Sequence, residues 1–146
     1  MYVDEFEREL VVLAYDMKNL LRDSVAPVCQ EHGLTLQQLH VLIMLQQKPG
    51  VTLSDLSLRA GILRTNFSAM CRKLEEDGLV ERRRNEQDRR ASELFVTERG
   101  QTLLREIEST VRAQHERVFS QEPPETFATI LAGFHALEGL IAKARA

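Results

Sequence analysis

The sequence has little cysteine, few aromatic residues and no long uninterrupted apolar run. Only two cysteines occur among 146 residues, and tryptophan is absent, which excludes a disulfide-stapled secreted scaffold. We expect no membrane span, because no run approaches the roughly 18 apolar residues that a span needs. The first residues also lack the basic and apolar regions of a signal peptide. These absences predict a cytoplasmic globular protein that is long enough to bury a core.

Charge is distributed unevenly along the chain. The formal net charge is −3, an average that by itself disfavours a nucleic-acid partner. Residues 59–99, however, contain ten basic and eight acidic residues, a balance of +2. Residues 59–74 carry four cations and no acid, and residues 82–90 carry five arginines. An acidic protein therefore has a basic middle segment, and its net charge does not exclude nucleic acid.

Apolar residues recur at steps of three and four in three segments outside this middle. They are Val3, Phe6, Leu10, Leu13, Met17 and Leu20; Leu103, Leu104, Ile107, Val111, Val118 and Phe119; and Phe127, Ile130, Leu131, Phe134, Leu137, Leu140 and Ile141. This spacing predicts three amphipathic helices. We expect Pro27 and the turn at residues 31–33 to end the first helix, and Pro123 and Pro124 to begin the last. The helices fit a monomeric bundle or, as we favour, the interleaved helices of a homodimer.

The middle segment contains explicit helix starts and stops. Thr35 and Gln38 form a capping-box pattern for a helix to about Gln47. A second helix begins after Thr52 and ends near Gly61, and a third runs from residue 64 to 77 before Gly78. Two short helices joined by a tight turn form a helix-turn-helix.

The pattern changes to alternation after Gly78. Leu79, Val80, Leu94 and Val96 predict two antiparallel strands joined by a loop near residues 85–88, and Thr97 is placed to cap the next helix. The predicted fold is therefore mainly α with a small β-hairpin wing. Residues 35–99 form the winged helix-turn-helix lobe, and residues 1–34 and 100–146 form the flanking dimerisation helices.

The third helix has the pattern of a DNA-recognition helix. At 100° per residue, an apolar side predicted to face the core consists of Leu63, Phe67, Met70, Cys71 and Leu74. The opposite side has no acid before Glu76, as insertion between phosphates requires. The candidate DNA-contact residues of this helix are Arg64, Thr65, Asn66, Ser68, Ala69, Arg72 and Lys73.

The hairpin supplies a second basic surface. An arginine at its tip could enter the minor groove, where the negative potential favours a planar cation, while a nearby carboxylate holds the guanidinium. The candidate DNA-contact residues of the wing are Arg82, Arg83, Arg84, Asp88, Arg89 and Arg90.

The predicted helix-turn-helix is followed by residues 74–80, by Asp88-x-Arg90 and by residues 96–100 (Val-Thr-Glu-Arg-Gly). In this order of motifs the sequence resembles the MarR family of bacterial transcription regulators. The resemblance covers essentially the whole chain, although Val96 replaces the usual leucine and Leu63 the usual small polar residue. It implies a homodimeric repressor, or less often an activator, that binds double-stranded operator DNA. It also implies Arg90 as the minor-groove arginine and Asp88 as its stabiliser. Many relatives bind a small-molecule effector between the dimerisation helices and the DNA-binding lobe, and some sense oxidants.

The sequence gives weaker indications of redox sensing, metal binding or catalysis. Cys29, three residues before His32, is a candidate redox sensor, but packing is the favoured interpretation for both cysteines. The four histidines have no metal-ligand spacing, so we expect no metal site and no cofactor. The common phosphate-loop, nucleophile-elbow and metalloprotease motifs are absent, which disfavours an enzyme. The main alternative is a winged helix used only for protein contacts, which would have no salt-dependent DNA affinity.

Overall fold

The computed structural model describes residues 2–61, 63–88 and 90–146. Its elements, in chain order, are α1 (Tyr2–Leu20), a π-helical turn (Leu21–Val25), α2 (Ala26–Glu31), α3 (Leu36–Gln47), β1 (Val51–Thr52), α4 (Leu53–Ala60), α5 (Arg64–Glu76), β2 (Val80–Arg84), β3 (Ser92–Val96), α6 (Glu98–Phe119) and α7 (Pro124–Arg145). The fold is mainly α with a small antiparallel sheet, which confirms the predicted fold class.

The predicted helix starts and stops of the middle segment are confirmed. The Thr35 hydroxyl accepts from the Gln38 N–H at 3.1 Å, and the Gln38 side chain accepts from the Thr35 N–H at 2.9 Å. Thr52 caps α4 by accepting from the Asp55 N–H at 3.2 Å. Gly61 and Gly78 follow α4 and α5 with φ of +67° and +74°, a conformation that glycine adopts without steric cost.

The N-terminal helical segment continues past Pro27, so the prediction is wrong for Pro27, but it ends at the predicted turn of residues 31–33. Pro27 lies in the first turn of α2, directly after the π-helical turn, and the helical path ends only at Glu31. Proline removes a donor and its ring clashes with the preceding turn of a regular helix. The wider π turn, in which the Ala26 N–H reaches the Leu21 carbonyl, accommodates it without ending the segment.

The sheet has three strands in the order β1-β3-β2, all antiparallel. The predicted hairpin pairs Val80 with Val96 and Arg84 with Ser92. β1, which the sequence did not predict, adds Val51 opposite Leu94 on the other edge of β3. This extra strand pairs the segment before α4 with the middle of the hairpin.

The chain divides into two compact units, one ending at Val111 and one covering Arg112–Ala146. The first unit holds the apolar core, in which α5, the sheet and α6 contribute Phe67, Leu74, Leu94 and Leu104, each with no exposed surface. The predicted division at residues 34 and 99 concerns function and stays a prediction.

The second unit is built around aromatic contacts near the turn between α6 and α7. His115 stacks on Phe119 with centroids 5.3 Å apart, and Phe127 meets Phe119 edge-on at 5.9 Å. α7 contains no buried residue in the single chain. By length and composition alone, α7 is long and apolar enough to span a membrane. The expectation that no segment of the chain meets this criterion is therefore wrong for α7.

Candidate nucleic-acid interface

The two faces of α5 largely follow the helical wheel. Phe67, Cys71 and Leu74 are completely buried, and Met70 is half-buried. On the opposite side Thr65, Asn66, Ala69 and Arg72 are exposed and Ser68 is half-buried, whereas Arg64 is the first residue of the helix. Sequence reasoning thus placed the outer face of the helix correctly.

Leu63 departs from the predicted core side. It precedes the helix as its N-cap residue, with φ −55° and ψ 133°, and is 74% exposed. The 100° rotation per residue applies only within a helix, so the wheel does not place this side chain. As an apolar residue Leu63 also provides no side-chain cap for the first turn of α5.

The predicted contact residue Lys73 lies in an ion pair at the C-terminal end of α5. Its ammonium is 3.0 Å from an Asp77 carboxylate oxygen. The hydrogen bond and the charge of Asp77 raise the pKa of Lys73. Lys73 is therefore an exposed cation with a carboxylate already beside it.

The wing loop is organised by side-chain contacts to its own backbone. The Asn85 N–H donates to the Ala91 carbonyl at 3.1 Å, and the Asn85 side chain accepts from the Gln87 N–H at 2.8 Å. Asp88 accepts from the Arg90 backbone N–H at 3.0 Å. The carboxylate that was expected to hold the Arg90 guanidinium thus holds the Arg90 backbone. Arg89 lies outside the described residues.

Two of the predicted wing arginines are held by neighbours within the lobe. Arg82 forms a two-pronged ion pair with Glu75, and both hydrogen bonds measure 3.1 Å. Arg83 pairs with Glu81 and lies 4.2 Å from the centre of the Phe95 ring. Arg84 and Arg90 are exposed. DNA contact by these residues stays a prediction, and the sequence analysis missed their partners Glu75 and Phe95.

A cavity of about 1000 Å³ lies in the first unit, between the turn after α2, the end of α5 and the start of α6. Ionisable side chains from each of these segments line it, including His32, Lys73, Glu76 and Arg99. His32 Nδ1 is 3.9 Å from a Glu106 carboxylate oxygen across the space. The cavity is open and strongly polar, and it adjoins the helix that carries the candidate DNA contacts.

The two cysteines pack in the core. Burial raises the pKa of the Cys29 thiol, and it raises the pKa of Cys71 to about 11 despite the opposing charge of Arg82. A raised pKa disfavours the reactive thiolate, so the geometry supports packing over redox sensing at Cys29. Over residues 2–61, 63–88 and 90–146 no three potential ligands cluster as a metal site would need.

Known proteins similar to the chain are DNA-binding regulators. The MarR family model matches residues 32–91. An HTH-type transcriptional repressor of Mycobacterium bovis is 32% identical over 75% of this chain and 78% of its own length. The homoprotocatechuate degradative operon repressor of Escherichia coli is 29% identical over 80% and 76%. The structure of Streptococcus pneumoniae FabT in complex with DNA shares the fold, with a TM-score of 0.70, 22% identity, and 94% and 98% coverage.

Both sequence relatives are transcriptional repressors. The matched segment contains the helix-turn-helix and most of the wing, including the exposed Arg72, Arg84 and Arg90. The chain is a member of the MarR family of winged-helix, DNA-binding transcription regulators.

Proposed function

We propose that the chain is a cytoplasmic, homodimeric repressor that binds a pseudo-palindromic double-stranded operator. The observation that carries this proposal is the outer face of α5, free of acids before Glu76, on the same lobe as the exposed Arg84 and Arg90 of the wing. α5 would enter the major groove and the wing tip the adjacent minor groove. Two copies of α5 about 34 to 36 Å apart would meet successive major grooves on one side of the duplex.

The exposed residues of α5 suit different parts of the groove. Thr65, Asn66 and Ser68 can hydrogen-bond to base edges or phosphate, and Ala69 is small enough to contact a thymine methyl group. Arg72 can reach a guanine or the backbone. Arg90 remains the candidate for the minor groove.

Homodimer formation is supported by where the exposed apolar residues lie. Of 18 large hydrophobic residues that the described chain exposes, 16 belong to α1, the π turn, the end of α6 or α7. Exposed apolar residues concentrated on a few helices mark an interaction surface. A second copy would cover these helices in a self-complementary interface, which also accounts for the apolar character of α7. The functional segments would then be residues 1–34 and 100–146 for dimerisation and 35–99 for DNA.

Regulation by a small molecule is supported by the cavity beside α5. A ligand that prefers one arrangement of the segments around the cavity would shift the population of DNA-competent dimers. The cavity is lined by both cations and carboxylates, so a polar or charged effector suits it. Tighter or weaker operator binding after addition of such a ligand would test this regulation.

DNA binding is tested with a duplex enriched from a random library by the protein itself. We expect the affinity to fall steeply with salt, as counterion release requires. Arg90→Ala should weaken specific binding by about 1–3 kcal/mol and leave the dimer intact. Arg112→Ala, which removes an exposed arginine outside the basic segment of residues 59–99, serves as the matched control. A flat salt response, or equal affinity for any duplex, would show that the chain is a protein-interaction module instead.

Dimerisation is tested by sedimentation. We expect the wild-type protein to sediment at twice its 16.7 kDa mass. Phe134→Glu, on the apolar stripe of α7, should give monomers. Leu58→Glu changes another exposed apolar residue, outside the terminal helices, and should stay dimeric. A wild-type monomer at micromolar concentration would contradict the proposal.

A further inference from the structure

A two-pronged ion pair joins the recognition helix to the wing. Glu75 lies in the last turn of α5, and Arg82 is the third residue of β2. Arg82 Nε donates to one carboxylate oxygen of Glu75 and Nη2 donates to the other, each at 3.1 Å. Parallel hydrogen bonds of this kind fix the mutual orientation of two groups as well as their distance.

The ion pair attaches the wing to α5 at a point beyond their backbone connection. The chain leaves α5 through Gly78 and enters the sheet at Val80, so the backbone connects the two elements at the base of the hairpin. Arg82 lies opposite Leu94, at the middle of the hairpin register. The ion pair is thus a second attachment, farther out along the hairpin. Because β2 is attached to α5 at two points, the ion pair restricts rotation of the strand about the backbone connection.

Stability alone is a weak reason for such a pair. The side chains of Glu75 and Arg82 are 27% and 37% exposed, and partly solvated ion pairs contribute little to folding. An acidic residue in this lobe also opposes phosphate binding by its charge. Glu75 therefore carries an electrostatic disadvantage for DNA binding that a geometric role would offset.

We propose that Glu75 is a positioning residue for operator binding, which sets the angle between α5 and the wing by holding Arg82. The inference rests on the proposed function, because the angle matters only if α5 and the wing tip engage neighbouring grooves of one duplex. With the pair intact, α5 and the wing already have the angle that DNA binding requires before DNA binds. Without it, the wing must be ordered upon binding, which lowers affinity.

The decisive comparison is Glu75→Gln against Glu76→Gln, measured without any effector because Glu76 also lines the cavity beside α5. Each variant removes one negative charge from adjacent positions of α5, but Glu76 is exposed and does not contact Arg82. Long-range electrostatics alone would make both variants bind DNA slightly more tightly. We expect Glu75→Gln to bind the enriched operator duplex about tenfold more weakly, a size typical of coupled ion-paired residues. Glu76→Gln should bind as tightly as the wild type or more tightly.

Arg82→Gln and the double variant separate positioning from direct contact. If Arg82 acts through Glu75, the double variant should bind no more weakly than either single variant, and the salt dependence should keep its slope. If Arg82 instead contacts a phosphate, its loss from both protomers of the dimer should lower the slope by about 1.8, or about 0.9 for each contact, and the two losses should add. Hydroxyl-radical footprints of Glu75→Gln should lose protection in the minor groove contacted by the wing, whereas protection of guanine N7 from methylation should keep reporting the major-groove contacts.

These outcomes distinguish the inference from the proposed function. A wild-type protein without specific affinity for any enriched duplex overturns both. Specific wild-type binding that Glu75→Gln equals or exceeds overturns only the positioning role, as do additive losses with a reduced slope. Thermal melting of each variant without DNA shows that binding is measured on folded protein.

Discussion

Replacing Gly100 by alanine should destabilise the protein, although the residue lies within a helix. Gly100 is the third residue of α6, and a Cβ there would lie 2.4 Å from the Leu79 carbonyl oxygen and 2.7 Å from Val96 Cγ1. The valine can adjust, but the carbonyl accepts the Thr97 N–H at 3.0 Å. Thr97 in turn donates its hydroxyl to the Gly78 carbonyl and accepts from the Gly100 N–H. The added methyl group must therefore move a hydrogen-bonded backbone junction.

Two opposing terms set the size of the effect. Overpacking of a tight site costs about 1–3 kcal/mol, and contact with backbone favours the upper end. Alanine gains about 1 kcal/mol over glycine in a helix interior. The net expectation is a loss of about 2 kcal/mol in the free energy of unfolding.

Urea denaturation of wild-type and variant protein at one fixed concentration measures this loss. With an m-value of about 2 kcal/mol/M, the midpoint should fall by roughly 1 M. Gly139→Ala is the matched control, because a Cβ at that position would have nothing within 4 Å and it lies opposite the apolar stripe of α7. The control should gain up to about 1 kcal/mol. If Gly100→Ala proved as stable as the control, the close approach of α6 to the wing sheet would be refuted.

Two further predictions concern α5. Leu63→Ser should supply the missing N-cap and raise the free energy of unfolding by about 1 kcal/mol; a lower urea midpoint would contradict this. Cys71, whose pKa is raised from 9.0 to about 11, binds more protons in the folded than in the unfolded state between those values. Stability should therefore fall as pH rises from 9 to 11, by about 1.4 kcal/mol per unit from this group. Urea midpoints of Cys71→Ala should lack that part of the slope, and equal slopes would show that the thiol does not contribute.

Much of the fold could be predicted because its signals are local. The Thr35 and Thr52 caps and the glycines after α4 and α5 act within one helical turn, so sequence spacing suffices to place them. The buried side of α5 follows from helical geometry alone. The same holds for the hairpin, because the apolar Leu94 and Val96 are two residues apart and so lie on one face of a strand.

The features that escaped prediction depend on contacts between distant segments or on unusual backbone. Two-residue β1 forms only because β3 is there to pair with it. Pro27 usually marks a helix end, and only a π turn lets the segment continue. The pairing of Glu75 with Arg82 requires the path of the chain through Gly78, which spacing does not specify. Sequence could identify the cations of the lobe but not which of them already have partners.

The acids of the DNA-binding lobe bear on how selective the protein can be. Glu75, Asp77 and Glu81 each pair with a basic residue of α5 or β2, so fewer than the ten cations of residues 59–99 are available to phosphates. Nonspecific affinity rises with the number of phosphates neutralised, and this pairing lowers it. The net negative charge outside residues 59–99 lowers the nonspecific affinity further wherever the DNA-binding lobe is not aligned with an operator. Specific affinity then depends on the exposed outer face of α5 and on a wing held at a fixed angle, so losing that angle should cost the operator more affinity than a nonspecific duplex.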